Sequence, residues 1–141
     1  MHPFRALREK GDNTPEQVAY LLAEDVEFRT PVLIAPVMGR SVVSRILATS
    51  SRVRSGKYIR EEKLDERTTF LHWIGVVGGH ELEALELLED DENGLIAART
   101  VAYRPFPALA VFRSAMYASL KDLVAPHYWS YTPDDPMSMP S

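Results

Sequence analysis

The chain has no cysteine, so it has neither a disulfide framework nor a thiolate zinc site, and a reducing compartment fits. It has no excess of positive charge either. The net charge is −4, and the arginines are scattered among acidic neighbours. A nucleic-acid surface, which presents a basic stripe or patch, is therefore not expected. No apolar run approaches the ~18 residues that a membrane-spanning helix needs. The opening segment MHPFRALREKGD is polar and lacks the apolar stretch of a secretory signal, so the expected location is cytoplasmic, with no membrane partner. No internal repeat occurs. What remains is ordinary for a globular protein: 45% apolar and 26% charged residues, in a chain long enough for one hydrophobic core.

The first half reads in helical period. A helix is expected over 2–10, with Phe4 and Leu7 on one face and Gly11 as its stop. Thr14 is an N-cap, Pro15 suits the first turn and Gln17 completes a capping box. The helix it opens places Val18, Leu21 and Leu22 on one stripe. A short strand over 25–29 follows, ended by Pro31. Gly39 precedes a third helix carrying Val42, Val43, Ile46, Leu47 and Val53, which Gly56 is expected to close. Beyond Gly56 the period changes to two, giving strands over 57–64, 67–77, 80–91 and 95–104. Gly78-Gly79 and Asn93-Gly94 read as two-residue hairpin loops, which join three long strands into an antiparallel meander. Pro105 and Pro107 break the sheet. A last helix over 107–125 carries Leu109, Phe112, Met116, Leu120 and Leu123. One domain over 1–125 is expected, with 126–141 a loosely ordered tail rich in Pro, Ser and Asp.

Three segments in this order resemble one family. FRALREKGDNTPEQVAYLLAEDVEFRTP is similar to the opening helix, Gly-Asp, second helix and proline-ended strand of the nuclear transport factor two-like superfamily. GRSVVSRIL resembles the Gly-Arg start of its third helix, and ALELLEDDENGLI its strand and acidic turn. The resemblance covers most of the chain, the last helix excepted. It implies an α+β roll of the cystatin-like, SnoaL-like kind: a cone in which N-terminal helices pack inside a strongly curved, mainly antiparallel sheet. An open, cone-shaped small-molecule pocket and a homodimer through the outer sheet face are also implied.

The two turns assign the sheet faces, because directly opposed residues share a face. One face carries Leu71, Trp73, Ala84, Glu86, Leu88, Arg99, Val101 and Tyr103. The other carries Ile74, Val76, Leu85, Leu87, Ile96 and Ala98, with His72 and Glu83. Both are substantially apolar. One face must line the core and pocket, and the other needs a cover, either the last helix or a second copy of the chain. Tyr58 and Glu62 are the rim positions expected to turn inward.

Glu86 is the leading candidate for chemistry. The resemblance places it where ketosteroid isomerase has a protonated oxyanion-hole aspartate. A structural ion pair with Arg99 across the hairpin is the competing reading. The isomerase's tyrosine and general-base positions fall on Phe4 and Thr30, neither of which can do that work, so this isomerase chemistry is not expected. An epoxide-hydrolase set is also incomplete: Glu86, Arg99, Tyr103 and Tyr58 supply part of it, but strand 95–104 has no second carboxylate. A SnoaL-like cyclase would need only one acid–base group, Glu86 or His72. His72 falls on the outer face, while His2 and His127, near the termini, are expected to be solvated. No two histidines show metal-ligand spacing, so no metal and no cofactor are expected.

Three functions follow. The first is binding of a small apolar molecule in the cone, lined by Phe4, Thr30, Tyr58, Leu71, Trp73, Ala84, Leu88 and Val101. The second is acid–base catalysis on a polyketide, steroid or terpenoid, with Glu86 as acid or base, Arg99 stabilising negative charge and Tyr103 donating a hydrogen bond. The third is a protein-interaction adaptor using the outer face.

Overall fold

The computed structural model describes residues 1–130. Helix α1 is Pro3–Lys10. Its N-cap is His2, whose Nδ1 accepts from the Phe4 amide at 3.0 Å, while Nε2 lies 3.1 Å from Asp90. His2 is thus tied into the fold rather than solvated. Helix α2, Pro15–Ala19, has the expected capping box between Thr14 and Gln17. It is shorter than its apolar period suggested. A turn from Leu21 to Val18 ends it, and Leu22 already begins strand β1, Leu22–Arg29. Pairing with a neighbouring strand has overridden helical spacing at Leu21 and Leu22.

A two-residue strand β2, Val37–Met38, pairs with β1 and leads into helix α3, Arg40–Val53. Gly56 does not close this helix. Arg54 is already extended, and Gly56 sits in strand β3, Ser55–Asp65, opposite Gly75. Both glycines are needed by one side chain. A Cβ on Gly56 would lie 2.5 Å from the Trp73 ring, and one on Gly75 would lie 2.3 Å from it. The indole lies across a backbone that only glycine leaves low enough.

Strands β4 (Thr68–Val77), β5 (His80–Asp90) and β6 (Ile96–Arg104) make the expected meander. The sheet order is β2-β1-β6-β5-β4-β3, antiparallel except where β1 runs parallel to β6. Gly78 and Gly79 both have positive φ, as their turn requires. At the second turn only Gly94 does. There the Asp91 carboxylate accepts from the Asn93 and Leu95 amides, and the extra residue is absorbed as a bulge between Glu89 and Asp90. The long-range register survives, with Leu88 opposite Arg99 and Glu86 opposite Val101. Ile96, beyond the bulge, is turned into the core instead of onto the outer face. Another bulge, between Tyr58 and Arg60, brings Tyr58 inward but leaves Glu62 exposed. Glu61 takes the inward role, accepting from the His2 amide and from Arg5. Four such irregularities lie in the sheet, one in the β1–β6 pair, two in β3–β4 and one in β5–β6, and bulges of this kind bend a strand and increase its twist. The result is the strongly curved α+β cone.

Helix α4, Phe106–Leu120, turns Phe112, Met116 and Leu120 into this same core. It closes the cone, and among the described residues nothing covers the outer sheet face, where Val76, Leu85 and Leu87 are exposed. The packed chain runs past the expected boundary at 125. Pro126–Tyr128 form a 3-10 turn, Trp129 is 1% exposed, and the Tyr128 carbonyl accepts from the Ile34 amide. The rest of the expected tail, 131–141, lies outside the described residues.

Candidate functional site

Strand alternation puts Glu86 of β5 and Arg99 of β6 on the inner face, 0% and 1% exposed. Two guanidinium nitrogens of Arg99, Nε at 3.2 Å and Nη2 at 2.9 Å, donate to the same oxygen, Glu86 Oε1. The rings of Phe4 and Phe28 lie 5.3 and 5.1 Å from the guanidinium carbon. Burial works against the charge of Arg99, but the Glu86 carboxylate outweighs it and holds the guanidinium above the ordinary arginine value. This two-donors-to-one-oxygen pairing leaves Glu86 Oε2 and Arg99 Nη1 buried with no protein partner among the described residues. The Tyr58 hydroxyl is in the same condition. Burial, and then the Glu86 carboxylate, raise the Tyr58 pKa above the usual phenol value, so the hydroxyl stays a neutral donor.

The remaining expected lining residues divide. Leu71, Trp73, Ala84, Leu88 and Val101 are all buried in the core cluster. Thr30 and Tyr103 border the interior void, but the Thr30 hydroxyl is used locally, accepting from the Val32 amide at 3.3 Å. Tyr103 does not pair with Glu86. Its hydroxyl accepts from Arg54 at 3.0 Å. His72, on the outer face, lies 2.6 Å from Glu83.

Helix α4 and Trp129 fill the mouth of the cone. Phe112 meets Tyr103 edge-on at 5.3 Å, Trp129 meets Tyr117 at 5.1 Å, and the indole N–H donates to the Val124 carbonyl. The void left between them, Arg99, Thr30 and helix α3 is about 10 Å³, room for one water molecule at most.

Two arginines that carry much of the interior charge went unnoticed in the sequence. Arg8 donates to the Leu47 carbonyl and to Ser50, both at 2.6 Å. Arg54, 6% exposed, stacks 4.2 Å from the Trp73 ring centre. The first carries a positional signal. Arg8 is four residues after Phe4, on the buried stripe of α1, whereas Arg54 is the first extended residue after α3 and is aimed inward by the chain's turn into β3.

No protein-family model matches the chain, and no curated protein matches it. Solved structures do. An uncharacterised bacterial protein with a cystatin-like fold from Silicibacter pomeroyi is similar at 29% identity and TM-score 0.79, over 86% of this chain and 87% of that one. A steroid delta-isomerase from Pseudomonas aeruginosa is similar at 29% identity and TM-score 0.74, over 86% of each chain. A SnoaL-like protein of unknown function from Burkholderia thailandensis shares the fold at 14% identity and TM-score 0.57, over 73% of this chain and 91% of that one. Among the described residues no helix is long and apolar enough to cross a membrane, and no group of three or more His, Cys, Asp or Glu side chains is placed to hold a metal ion.

Proposed function

We propose that this chain, whose fold is that of the nuclear transport factor two-like superfamily, binds a small, largely apolar molecule bearing a hydroxyl or carbonyl oxygen inside the cone. The observation that carries this reading is the set of three buried atoms without protein partners: Glu86 Oε2, Arg99 Nη1 and the Tyr58 hydroxyl. A buried polar group left unpaired costs about 1–3 kcal/mol. A ligand carbonyl would accept from Arg99 or Tyr58, and a ligand hydroxyl would donate to Glu86. The rest of the void's lining is mostly apolar, with Thr30, Ser50 and Tyr103 the polar exceptions. Because the void is only about 10 Å³, binding requires Trp129 and the end of α4 to move aside. The test is a thermal-shift screen with steroids, terpenoids and aromatic polyketides. A ligand at ~100 times its Kd stabilises by ~2.7 kcal/mol, and a screen in which no compound gives a saturable rise in Tm would defeat the reading.

Likeness to the steroid delta-isomerase favours a second reading, acid–base catalysis with the free Glu86 oxygen as acid or base, Arg99 as anion stabiliser and Tyr103 as a donor. Phe4 and Thr30 stand against an isomerase mechanism and the missing second carboxylate on β6 against an epoxide-hydrolase one, so a cyclase type of step, which needs one acid–base group, fits better. Turnover of a bound ligand, lost in Glu86→Gln while binding is kept, would establish this reading over binding alone.

The proposed assembly is a homodimer through the outer sheet face. Leu85 and Leu87 are 42% and 37% exposed there, beside Val76, and α4 is engaged elsewhere. Light scattering should give twice the chain mass, and Leu85→Glu should halve it. A wild-type monomer would instead favour the adaptor role.

A further inference from the structure

The arginines of the interior outnumber its carboxylates. Arg8, Arg54 and Arg99 point into or against the core, and only Arg99 has an acidic partner, Glu86. Arg8 and Arg54 form no ion pair among the described residues. The groups that satisfy them are neutral: Asn13, the Leu47 carbonyl and Ser50 for Arg8, and the Tyr103 hydroxyl for Arg54. Each also stacks on an aromatic ring, Arg8 over Phe4 and Arg54 over Trp73. Burial and then repulsion from Arg54 push the Arg8 pKa down to about 10, so it keeps its charge at neutral pH. Two partly desolvated cations facing one another without a counter-charge are unfavourable unless an anion joins them.

A place for that anion exists. A crevice of about 120 Å³ opens beside α1 and the end of α3, bordered by Arg8, Arg54, Ser51, Ser55 and the Trp73 ring. It shares no lining residue with the void under Trp129. Glu9 stands at its edge but is engaged by Arg5 at 3.3 Å. The Trp73 ring packs closely against the two glycines and forms one wall of this crevice. We infer that this crevice is a binding site for a small oxyanion, a carboxylate or phosphate group, held between the guanidinium groups of Arg8 and Arg54. Guanidinium groups suit such ligands because their fixed N–H forks match the spacing of carboxylate and phosphate oxygens.

The test uses the full chain in low-salt buffer, titrated separately with sodium phosphate and sodium acetate, each against sodium chloride at equal ionic strength. Arginine side-chain and indole N–H signals are followed by nuclear magnetic resonance, and Tm by calorimetry. Saturable shifts are expected at Arg54 and Trp73 but not at Trp129. Tm should rise by about 5 °C or more at a hundredfold excess over Kd. Whichever anion saturates first identifies the source of the oxyanion. Arg54→Gln should abolish the response. Ser55→Asp, at an exposed crevice position, should raise Tm in chloride and remove the anion response by supplying a carboxylate internally, so a folding defect in Arg54→Gln does not block the test. Shifts that follow ionic strength alone, or that persist unchanged in Ser55→Asp, would overturn the assignment. Neither result bears on the apolar ligand of the cone, which is probed by different compounds and reported by Trp129.

Discussion

Trp129→Ala should destabilise the chain by about 3–5 kcal/mol, the usual cost of truncating a buried tryptophan. Its ring is 1% exposed, meets Tyr117 edge-on, donates to the Val124 carbonyl and borders the same void as Arg99 and Phe112. Truncation removes those contacts and leaves an indole-shaped cavity inside the cone mouth. Because α4 is pinned to α3 and the sheet through Phe112, Met116 and Leu120, the surroundings can collapse only partly. Urea unfolding of the two proteins measures the loss. A difference below ~1 kcal/mol would show that Trp129 does not seal the cone.

The same variant tests how a ligand gains access. On the proposed binding inside the cone, the wild-type chain must open before a ligand enters, and apparent affinity falls by the fraction of molecules that are open. Trp129→Ala removes the plug and with it this penalty. It should therefore bind small aromatic and terpenoid probes more tightly than the wild type, although it is less stable. Indole itself should restore part of the lost Tm. Weaker binding of every probe by the variant would mean that Trp129 is a wall of the ligand site instead of its plug.

Why the fold was legible while the contents of the cone were not can be seen in individual residues. Faces in the meander follow from turn chemistry and a period of two, which put Leu71, Trp73, Ala84, Glu86, Leu88, Arg99, Val101 and Tyr103 together, and they do share the inner face. Local bulges are harder to read. One extra residue, stabilised by the Asp91 carboxylate, moves Ile96 to the opposite face, and another exchanges Glu61 for Glu62. Nothing in a period-two pattern announces either. Apolar period does not mark arginine, so the burial of Arg8, one turn after Phe4, and of Arg54, just past the end of α3, leaves no sign in it. Trp129 was missed for a different reason. Its neighbours are Pro, His, Tyr and Ser, a composition typical of loose tails, and its burial depends on packing against Tyr117 of α4, next to the Tyr128 carbonyl that Ile34 ties down, which no local pattern encodes.

Glu86→Ala should cost about 3–5 kcal/mol, because it leaves Arg99 charged and buried between the Phe4 and Phe28 rings without its counter-charge. Arg99→Met should cost a similar amount for the mirror-image reason, leaving a buried carboxylate with no cation. The double variant Glu86→Leu, Arg99→Met is the informative one. It removes both charges and fills their space with apolar groups, and exchanges of this kind are often neutral or stabilising. A double variant as stable as the wild type, with strong coupling between the two single changes, would mean that the fold does not need the pair. The pair would then be retained for what its spare atoms do. In that case the folded double variant should bind the hydroxyl- or carbonyl-bearing ligand at least about tenfold more weakly, the equivalent of one lost hydrogen bond to a charged group. Unchanged ligand affinity in a fully stable double variant would leave Glu86 and Arg99 with no part in recognition and shift the polar role to Tyr58. A cost below ~1 kcal/mol for Glu86→Ala alone would show that Arg99 finds other partners once released, and that the interior is less closed than its void of about 10 Å³ indicates.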